Sequence, residues 1–176
     1  VLYALDDIDQ HLDGAETAYV DAWNQHKPAR TLYALLEELP FKTGPLHHTS
    51  QIQDLLAGIR EAIDQRTVVV IDEADMLQDR SLLLELHAID QLKLVVVANR
   101  GGDIVTGLGT VQSKTLQSGE RLVFDSYSVD ALVDILRPRA HEGIHGRVGD
   151  GVLEAIAERA DGDARNAIKC LEMAAR

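Results

Sequence analysis

Residues 67–77, TVVVIDEADML, join a continuous apolar segment to a cluster of carboxylates. The apolar part, 68–71, has no polar residue that would mark a solvent-facing side, which is typical of a strand buried on both faces. Asp72, Glu73 and Asp75 follow it directly. Neighbouring carboxylates repel one another, so this arrangement needs a cation or a function to offset the cost. The segment therefore predicts a buried strand that ends in a ligand site.

The composition is that of a globular protein. The chain has 176 residues, of which 45% are hydrophobic and 26% charged, so it is long enough for one sizeable core and is not disordered. No apolar run approaches the roughly 20 residues of a spanning helix, and no secretory signal is visible, so we expect a soluble protein with no membrane partner. The single cysteine, Cys170, excludes an internal disulfide framework and fits a reducing cytoplasm.

The formal charge of −12 bears on partners and on habitat. An acidic surface opposes nonspecific binding to nucleic acid or to anionic membranes. Lysine is scarce, with five Lys against twelve Arg and 29 acidic residues, a balance that resembles proteins from a salt-rich cytoplasm. An ordinary acidic protein is the alternative interpretation.

Apolar periodicity and turn residues divide the chain into two parts. The first part is predicted to alternate: helix 1–12, strand 17–22, a helix from Pro28, loop 41–50, helix 52–63, strand 67–72, helix 79–90, strand 94–99, a short helix and strand 121–127. The second part is predicted to be all helix: 128–142, 149–160 and 163–176. Alternation with continuously apolar strands indicates a parallel sheet. We therefore predict an α/β core over 1–127 and an all-α unit over 128–176.

Polar side chains stand at the ends of two apolar strands. Asp72 and Glu73 end one strand, and Asn99 closes the next. In an open parallel sheet, ligands bind beyond the carboxyl ends of the strands. Two acids and an amide there suit a hydrated magnesium ion, an activated water and a phosphate. Alternatively the acids cap the following helix, which would explain Asp75 but not the matching Asn99.

Three segments resemble motifs of the AAA+ ATPases. VVVIDEADML, 68–77, resembles their Walker B motif, and LVVVAN, 94–99, their sensor 1 strand. DGDARNAI, 161–168, resembles the sensor 2 helix of their α-helical lid. Within AAA+, AYVDAWNQHKPARTLYALLEEL, 18–39, and YSVDALVDILRPRA, 127–140, are similar to the archaeal origin-recognition and helicase-loader initiators. The resemblance covers nearly the whole chain and implies an AAA+ P-loop-type parallel sheet core followed by an all-α lid.

The resemblance also implies ATP or ADP with Mg²⁺ as ligands and assigns roles in the core. Asp72 would hold the magnesium, largely through water. Glu73 would orient and polarise the attacking water as a catalytic residue. Asn99 would position that water or the γ-phosphate.

Three residues of the lid are implied to bind the nucleotide. Arg165 would reach from the lid to the phosphates, although a surface ion pair with Asp161 or Asp163 is the alternative. Tyr127 and Ile135 lie where this family's lid lines the adenine pocket, and either could equally be core.

Two further features are interpreted as structural. His47 and His48 are adjacent in a loop without other ligands at suitable spacing, so we assign no metal there. Trp23 is expected to pack rather than to stack on a base, because little basic charge surrounds it.

The sequence departs from the family by lacking the phosphate loop, Gly-x-x-x-x-Gly-Lys-Ser/Thr, or Walker A motif. In the family, the helix right after that loop resembles residues 1–12. We expect the loop and the central strand before it to lie upstream of residue 1, and the strands present here cannot then close as one continuous sheet. The rival interpretation is a degenerate protein that never had the loop.

A second departure concerns the arginine that related initiators supply to a neighbouring molecule. GTVQSKTL, 109–116, occupies its place, with Thr110 and Gln112 where arginine is expected. Lys114 is near, but an ammonium does not replace a guanidinium fork. We therefore expect slow ATP hydrolysis.

The resemblance implies an ATP-dependent switch of a DNA replication initiator. Its partners would be origin DNA, bound mainly through a C-terminal domain outside this chain, and the replicative helicase or other replication proteins. Two alternatives remain open: a regulatory or signalling ATPase of related, STAND-like type, and a scaffold that does not hydrolyse ATP.

Overall fold

The computed structural model describes residues 14–40, 46–99, 103–143 and 148–175. The helix predicted over 1–12 lies outside these residues. The chain forms two compact units, Val1–Glu120 and Arg121–Arg176. Residues 121–127, assigned above to the α/β core, cluster with the second unit.

The described part of the first unit alternates strands and helices in parallel arrangement. Its elements are β1 (Glu16–Asp21), α1 (Pro28–Glu38), α2 (Ile52–Ala62), β2 (Thr67–Asp72), α3 (Ser81–His87), β3 (Leu92–Val96) and α4 (Thr110–Gln117), with short 3-10 turns at Ala74–Met76 and Asp103–Val105. The strands form a sheet in the order β1-β2-β3, and both pairings are parallel. The predicted parallel α/β core is confirmed.

The core of this unit lies between β2 and the first two helices. Val69 and Ile71 are fully buried on one face of β2 and join the apolar faces of α1 and α2 in one cluster. Proline at the first position of α1 fits because its missing N–H has no partner in a helix start. The helices contribute fully buried leucine and isoleucine side chains: Leu32, Leu35, Leu55, Leu56 and Ile59. Burying each such side chain contributes about 1.5–3 kcal/mol, so this cluster fixes the position of the central strand.

Two predicted elements of this unit are shifted. β3 covers 92–96 rather than 94–99, because Thr67 pairs with Leu92 and the partner strand fixes the start. The chain stays beside β2 after β3 ends, since Val97 N donates to Ile71 O at 2.9 Å. The helix predicted over 79–90 is confined to Ser81–His87, and Asp79 Oδ1 accepts from Ser81 N and its hydroxyl at the helix start.

Two predictions of burial and pairing are wrong. β3 is not buried on both faces, since Lys93 and Val95 are exposed. Residues 121–127 form no strand and expose Leu122, Val123 and Phe124, the last at 92%. A strand requires a neighbour for its backbone groups, and no strand of the described residues pairs with this segment.

After residue 128, the regular structure in the described part of the second unit is all helical, as predicted. It contains α5 (Val129–Gly143), α6 (Asp150–Arg159) and α7 (Ala164–Ala174). Their apolar faces form a separate core: Leu132, Leu136, Leu153, Ile156 and Leu171. Between α6 and α7 the chain turns through Asp161 and Gly162, both with positive φ, of 50° and 80°. Among the described residues of the chain, no helix is long and apolar enough to cross a membrane.

Candidate functional site

The carboxyl ends of the strands carry an acidic edge, which we define as Asp21, Asp72, Glu73 and Asp75. Asp21 ends β1 and Asp72 ends β2, and the register places these two residues directly opposite each other. Like charges at opposite positions of paired strands destabilise a sheet unless other groups compensate them. The hydrogen bonds of each carboxylate therefore show how the edge is stabilised.

The Asp72 carboxylate is held on both oxygens. Its Oδ2 accepts a hydrogen bond from the Tyr19 hydroxyl at 2.8 Å, and its Oδ1 accepts from Glu73 N at 2.9 Å. Tyr19 lies opposite Val70 in the register, so its side chain reaches forward to the residue two positions further along β2. Such diagonal neighbours are within reach of an aromatic side chain.

The pKa of Tyr19 reflects this environment. Burial raises the pKa of its phenol to about 12, with further contributions from the hydrogen bond to Asp72 and from the charges of Asp72, Asp21 and Glu73. The phenol consequently remains a donor to Asp72 throughout the physiological range.

Asp21 is satisfied within its own turn. Its Oδ1 accepts from Trp23 N at 2.9 Å and its Oδ2 from Asn24 Nδ2 at 2.7 Å. The two opposed carboxylates therefore each have their own donors. The expectation that Trp23 packs is wrong, since its side chain is 63% exposed in the turn that follows β1.

Glu73 and Asn99 are in direct contact. Asn99 Nδ2 donates a short hydrogen bond to Glu73 Oε2. Asn99 does not end β3 but lies in the loop three residues after Val96, the last residue of that strand. Glu73 has left-handed backbone angles, φ 52° and ψ 39°, which cost a non-glycine residue roughly 1–2 kcal/mol. Strain of this kind is characteristic of functional sites.

Further bonds connect the loops that follow β2 and β3. Ala74 N donates to Val97 O at 2.9 Å, and Asn99 N donates to Asp75 Oδ1 at 3.4 Å. Asp75 therefore contacts the neighbouring loop and does not cap α3, contrary to the helix-capping explanation. Arg80 adds a clamp, because its Nη2 donates to Asp75 O at 2.7 Å and its Nη1 to Thr106 O at 3.5 Å.

The donor set of this edge fits a hydrated Mg²⁺ ion. A carboxylate has about four lone-pair positions, and the two donors on Asp72 leave positions free on both oxygens. Asp72 is partly exposed, and its neighbours offer oxygen atoms, which magnesium prefers. Within the described ranges, no group of three or more His, Cys, Asp or Glu side chains could hold a metal ion, so Asp72 would have to hold the magnesium largely through water. His48, for its part, lies edge-on to the ring of Tyr33, with centroids 6.1 Å apart.

The lid residues named from the sequence lie in the second unit. Tyr127 is 52% exposed and its N–H donates to Gly162 O at 3.1 Å, while Ile135 packs against the helical core. Arg165 is exposed in the first turn of α7, where Asp163 Oδ1 accepts from its backbone N at 2.8 Å. Among the ion pairs of the described residues, none involves the Arg165 side chain.

Thr110 and Gln112 lie in the first turn of α4. Gln112 Oε1 accepts from Gly109 N at 2.9 Å, so this side chain caps its own helix. The segment where the resemblance led us to expect an arginine is thus a capped helix start in this chain.

Two residues of the site were missed from the sequence. Tyr19 lies two residues before Asp21 on β1, and residues two apart on a strand share a face. This spacing could have placed Tyr19 beside Asp72 once the register was known. No sequence pattern pointed to Arg80, because it donates to backbone carbonyl oxygens, which every residue carries.

No family model matches the chain. The relatives found among known proteins nevertheless share one description, ORC1-type DNA replication protein. ORC1-type DNA replication protein 1 of Halobacterium salinarum is 38% identical over 160 residues, which cover 90% of this chain and 52% of that protein. ORC1-type DNA replication protein 9 of the same organism is 32% identical over 162 residues, covering 91% and 46%. The chain thus spans about half the length of these curated relatives.

Solved structures agree in fold. The Aeropyrum pernix ORC1 protein in complex with DNA matches with a TM-score of 0.75 and 27% identity, over 99% of this chain and 48% of that one. Cdc6p from Pyrobaculum aerophilum matches with a TM-score of 0.74 and 20% identity, over 99% and 50%, which shows the fold alone.

Proposed function

The chain is related to the ORC1-type DNA replication proteins and shares their AAA+ fold, and on this basis we propose that it is the nucleotide-responsive part of a DNA replication initiator. It binds ATP and hydrolyses it slowly, and the nucleotide state switches the protein between DNA-bound or helicase-loading states. The observation that carries the proposal is the contact between Glu73 and Asn99 beside the partly exposed carboxylate of Asp72.

Asp72 holds the magnesium in this proposal, through water on the lone pairs that Tyr19 and Glu73 N leave free. The bound metal neutralises negative charge on the phosphates. Because both Asp72 oxygens are already oriented by protein donors, the carboxylate needs little reorganisation when the ion arrives.

Glu73 orients and polarises the attacking water, as a general base does. Its left-handed backbone sets the direction of the side chain, and the Asn99 amide fixes the carboxylate from the neighbouring loop. Asn99 keeps an amide oxygen and a second N–H for the water or for the γ-phosphate.

In the second unit, Arg165 contacts the phosphates and Tyr127 and Ile135 contact the adenine. The exposed guanidinium of Arg165 is available for such a contact, and Asp163 fixes the start of the helix that carries it. An arginine there couples the position of the lid to the presence of the γ-phosphate.

The protein's partners are proposed as origin DNA and the replicative helicase or other replication proteins. One related protein, the Aeropyrum pernix ORC1, was solved with DNA. The charge of −12 makes this chain by itself a poor general DNA-binding surface. The low lysine content and the Halobacterium salinarum relatives support a salt-rich cytoplasm as the habitat.

Glu73→Gln tests the proposal in the full-length gene product. The substitution keeps size and hydrogen bonding but removes the charge, so ATP binding should persist while turnover falls by about 100-fold or more. Glu85→Gln is the matched control, because Glu85 forms an exposed ion pair with Arg60 on the helices, and such pairs contribute little.

Magnesium-dependent ATP binding and phosphate release are measured for all three proteins. Equal turnover in the wild type and Glu73→Gln would contradict the role of Glu73. A wild type that shows no magnesium-dependent ATP binding would instead favour the scaffold alternative.

A further inference from the structure

Tyr19 connects Asp72, the carboxylate proposed to hold the metal, to β1, a strand that carries none of the site residues predicted from the sequence. Its hydroxyl donates to Asp72 Oδ2 at 2.8 Å across the β1–β2 pairing. Tyr19, like Val97, packs against Val68 and Val70 on the face of the sheet opposite the main core. Two features therefore fix the position of the phenol oxygen: the packing of Tyr19 on the sheet and the pairing of β1 with β2.

We propose that Tyr19 is a positioning residue, whose hydroxyl fixes the orientation of Asp72 and thereby raises the affinity of the site for magnesium bound to a nucleotide. The inference rests on the proposed function, because it needs Asp72 to hold the ion.

The two donors on Asp72 together define the plane of its carboxylate. One comes from the next residue of the chain, at 2.9 Å, and constrains Oδ1. The other comes from a different strand and constrains Oδ2. With only the first bond the carboxylate could still rotate, since the terminal torsion of an aspartate is broad. The Tyr19 hydroxyl removes that freedom before the ion binds, and pre-orientation of this kind strengthens metal binding.

The charge distribution at the edge gives a second reason. Asp21 stands directly opposite Asp72, but its oxygens are occupied by Trp23 N and Asn24 Nδ2. Without the phenol, Asp72 would lose a donor while it still faced a like charge, and rotated states of its carboxylate would become populated. A carboxylate that occupies several orientations binds the hydrated ion more weakly because ordering it costs conformational entropy.

Tyr19→Phe is the test, because it removes the hydroxyl and retains the ring that packs on the sheet. Tyr33→Phe is the matched control, since Tyr33 lies on α1 and its phenol interacts with Glu37 rather than with the acidic edge. Binding of ADP to the full-length gene product is measured by calorimetry at a series of Mg²⁺ concentrations and in chelator. We expect Tyr19→Phe to weaken the apparent Mg²⁺ affinity by about 10-fold, the lower end for loss of an orienting partner. Binding in chelator should not change, and Tyr33→Phe should match the wild type.

A double-mutant cycle separates positioning from general damage. Asp72→Asn should itself weaken magnesium-dependent binding, and adding Tyr19→Phe to it should have no further effect. An unchanged Mg²⁺ affinity in Tyr19→Phe would overturn the inference, as would an equal loss of ADP binding with and without Mg²⁺. If the wild type binds no nucleotide in a magnesium-dependent way, the proposed function itself fails, a result distinct from either of these.

Discussion

Gly162 is the glycine of the second unit, among those that the structure describes, at which an added Cβ would be most crowded. It connects α6 to α7 with a φ of +80°, and its carbonyl accepts the N–H of Tyr127 at 3.1 Å. A Cβ added at this position would lie 2.6 Å from Ser126 Cβ and 3.2 Å from Tyr127 O. Carbon atoms in contact are normally about 3.5–4.0 Å apart, so Ser126 would have to move by about 1 Å.

Two costs follow for Gly162→Ala. The left-handed backbone costs an L-residue roughly 1–2 kcal/mol. Crowding in a packed region typically costs about 1–3 kcal/mol, and moving Ser126 strains the hydrogen bond of Tyr127. We therefore expect the free energy of unfolding to fall by about 2–5 kcal/mol, a large fraction of the roughly 5–15 kcal/mol of a typical protein.

Urea unfolding of the chain, followed by far-ultraviolet circular dichroism, measures this loss, and hydrogen exchange at the Tyr127 amide locates it. Gly151→Ala is the control, because Gly151 lies in α6 with nothing within 4 Å of an added Cβ. It should be neutral or stabilise by up to about 1 kcal/mol. Adding Ser126→Gly to Gly162→Ala should restore the part of the unfolding free energy that is lost through crowding. If Gly162→Ala unfolds within about 0.5 kcal/mol of the wild type, as ordinary surface changes do, the argument is refuted.

Two further predictions concern the first unit. Since neither Thr110 nor Gln112 carries the charge of an arginine finger, which is worth roughly 10³–10⁵ in rate, ATP hydrolysis by the full-length gene product should be slow and its specific activity independent of protein concentration. A steep rise of specific activity with protein concentration would show that another arginine, from a neighbouring molecule, acts in trans. If copies of the protein meet at this face, Gln112→Arg should raise the rate. The pKa of Tyr19, raised to about 12 from 10 in the unfolded chain, means that the unfolded state loses this proton first. Stability should therefore be intact below pH 10 and fall between pH 10 and 12, and the urea midpoint of Tyr19→Phe should decline less steeply over that window; parallel curves would contradict the contact.

Local sequence signals predicted the elements whose cause is local. β2 begins and ends as expected, at Thr67 and Asp72, because four consecutive apolar residues are bounded by polar ones. Pro28 fixed the start of α1, and Asp163 caps α7 through Arg165 N and Asn166 N. These features depend on residues close together in the chain, which is why the sequence was sufficient for them.

Elements that depend on a distant partner were predicted less well. The range of β3 follows from the pairing of Thr67 with Leu92, which no local pattern encodes. The segment 121–127 has the composition of a strand but pairs with no strand of the described residues. At the candidate site, the acids and Asn99 were visible in the sequence, whereas the Tyr19 contact requires the register of β1 on β2.

The hydrogen bond from Ala74 N to Val97 O constrains chain length at the acidic edge, in addition to the constraint that the site places on residue identity. It fixes the two loops to each other at a point one residue after Glu73 and two residues before Asn99. A substitution at either loop leaves this spacing intact, but one inserted or deleted residue would move the Asn99 amide away from Glu73 by about 3.3 Å, the rise of one extended residue. Insertions and deletions are therefore expected to accumulate beyond residues 72–77 and 96–99 rather than within them.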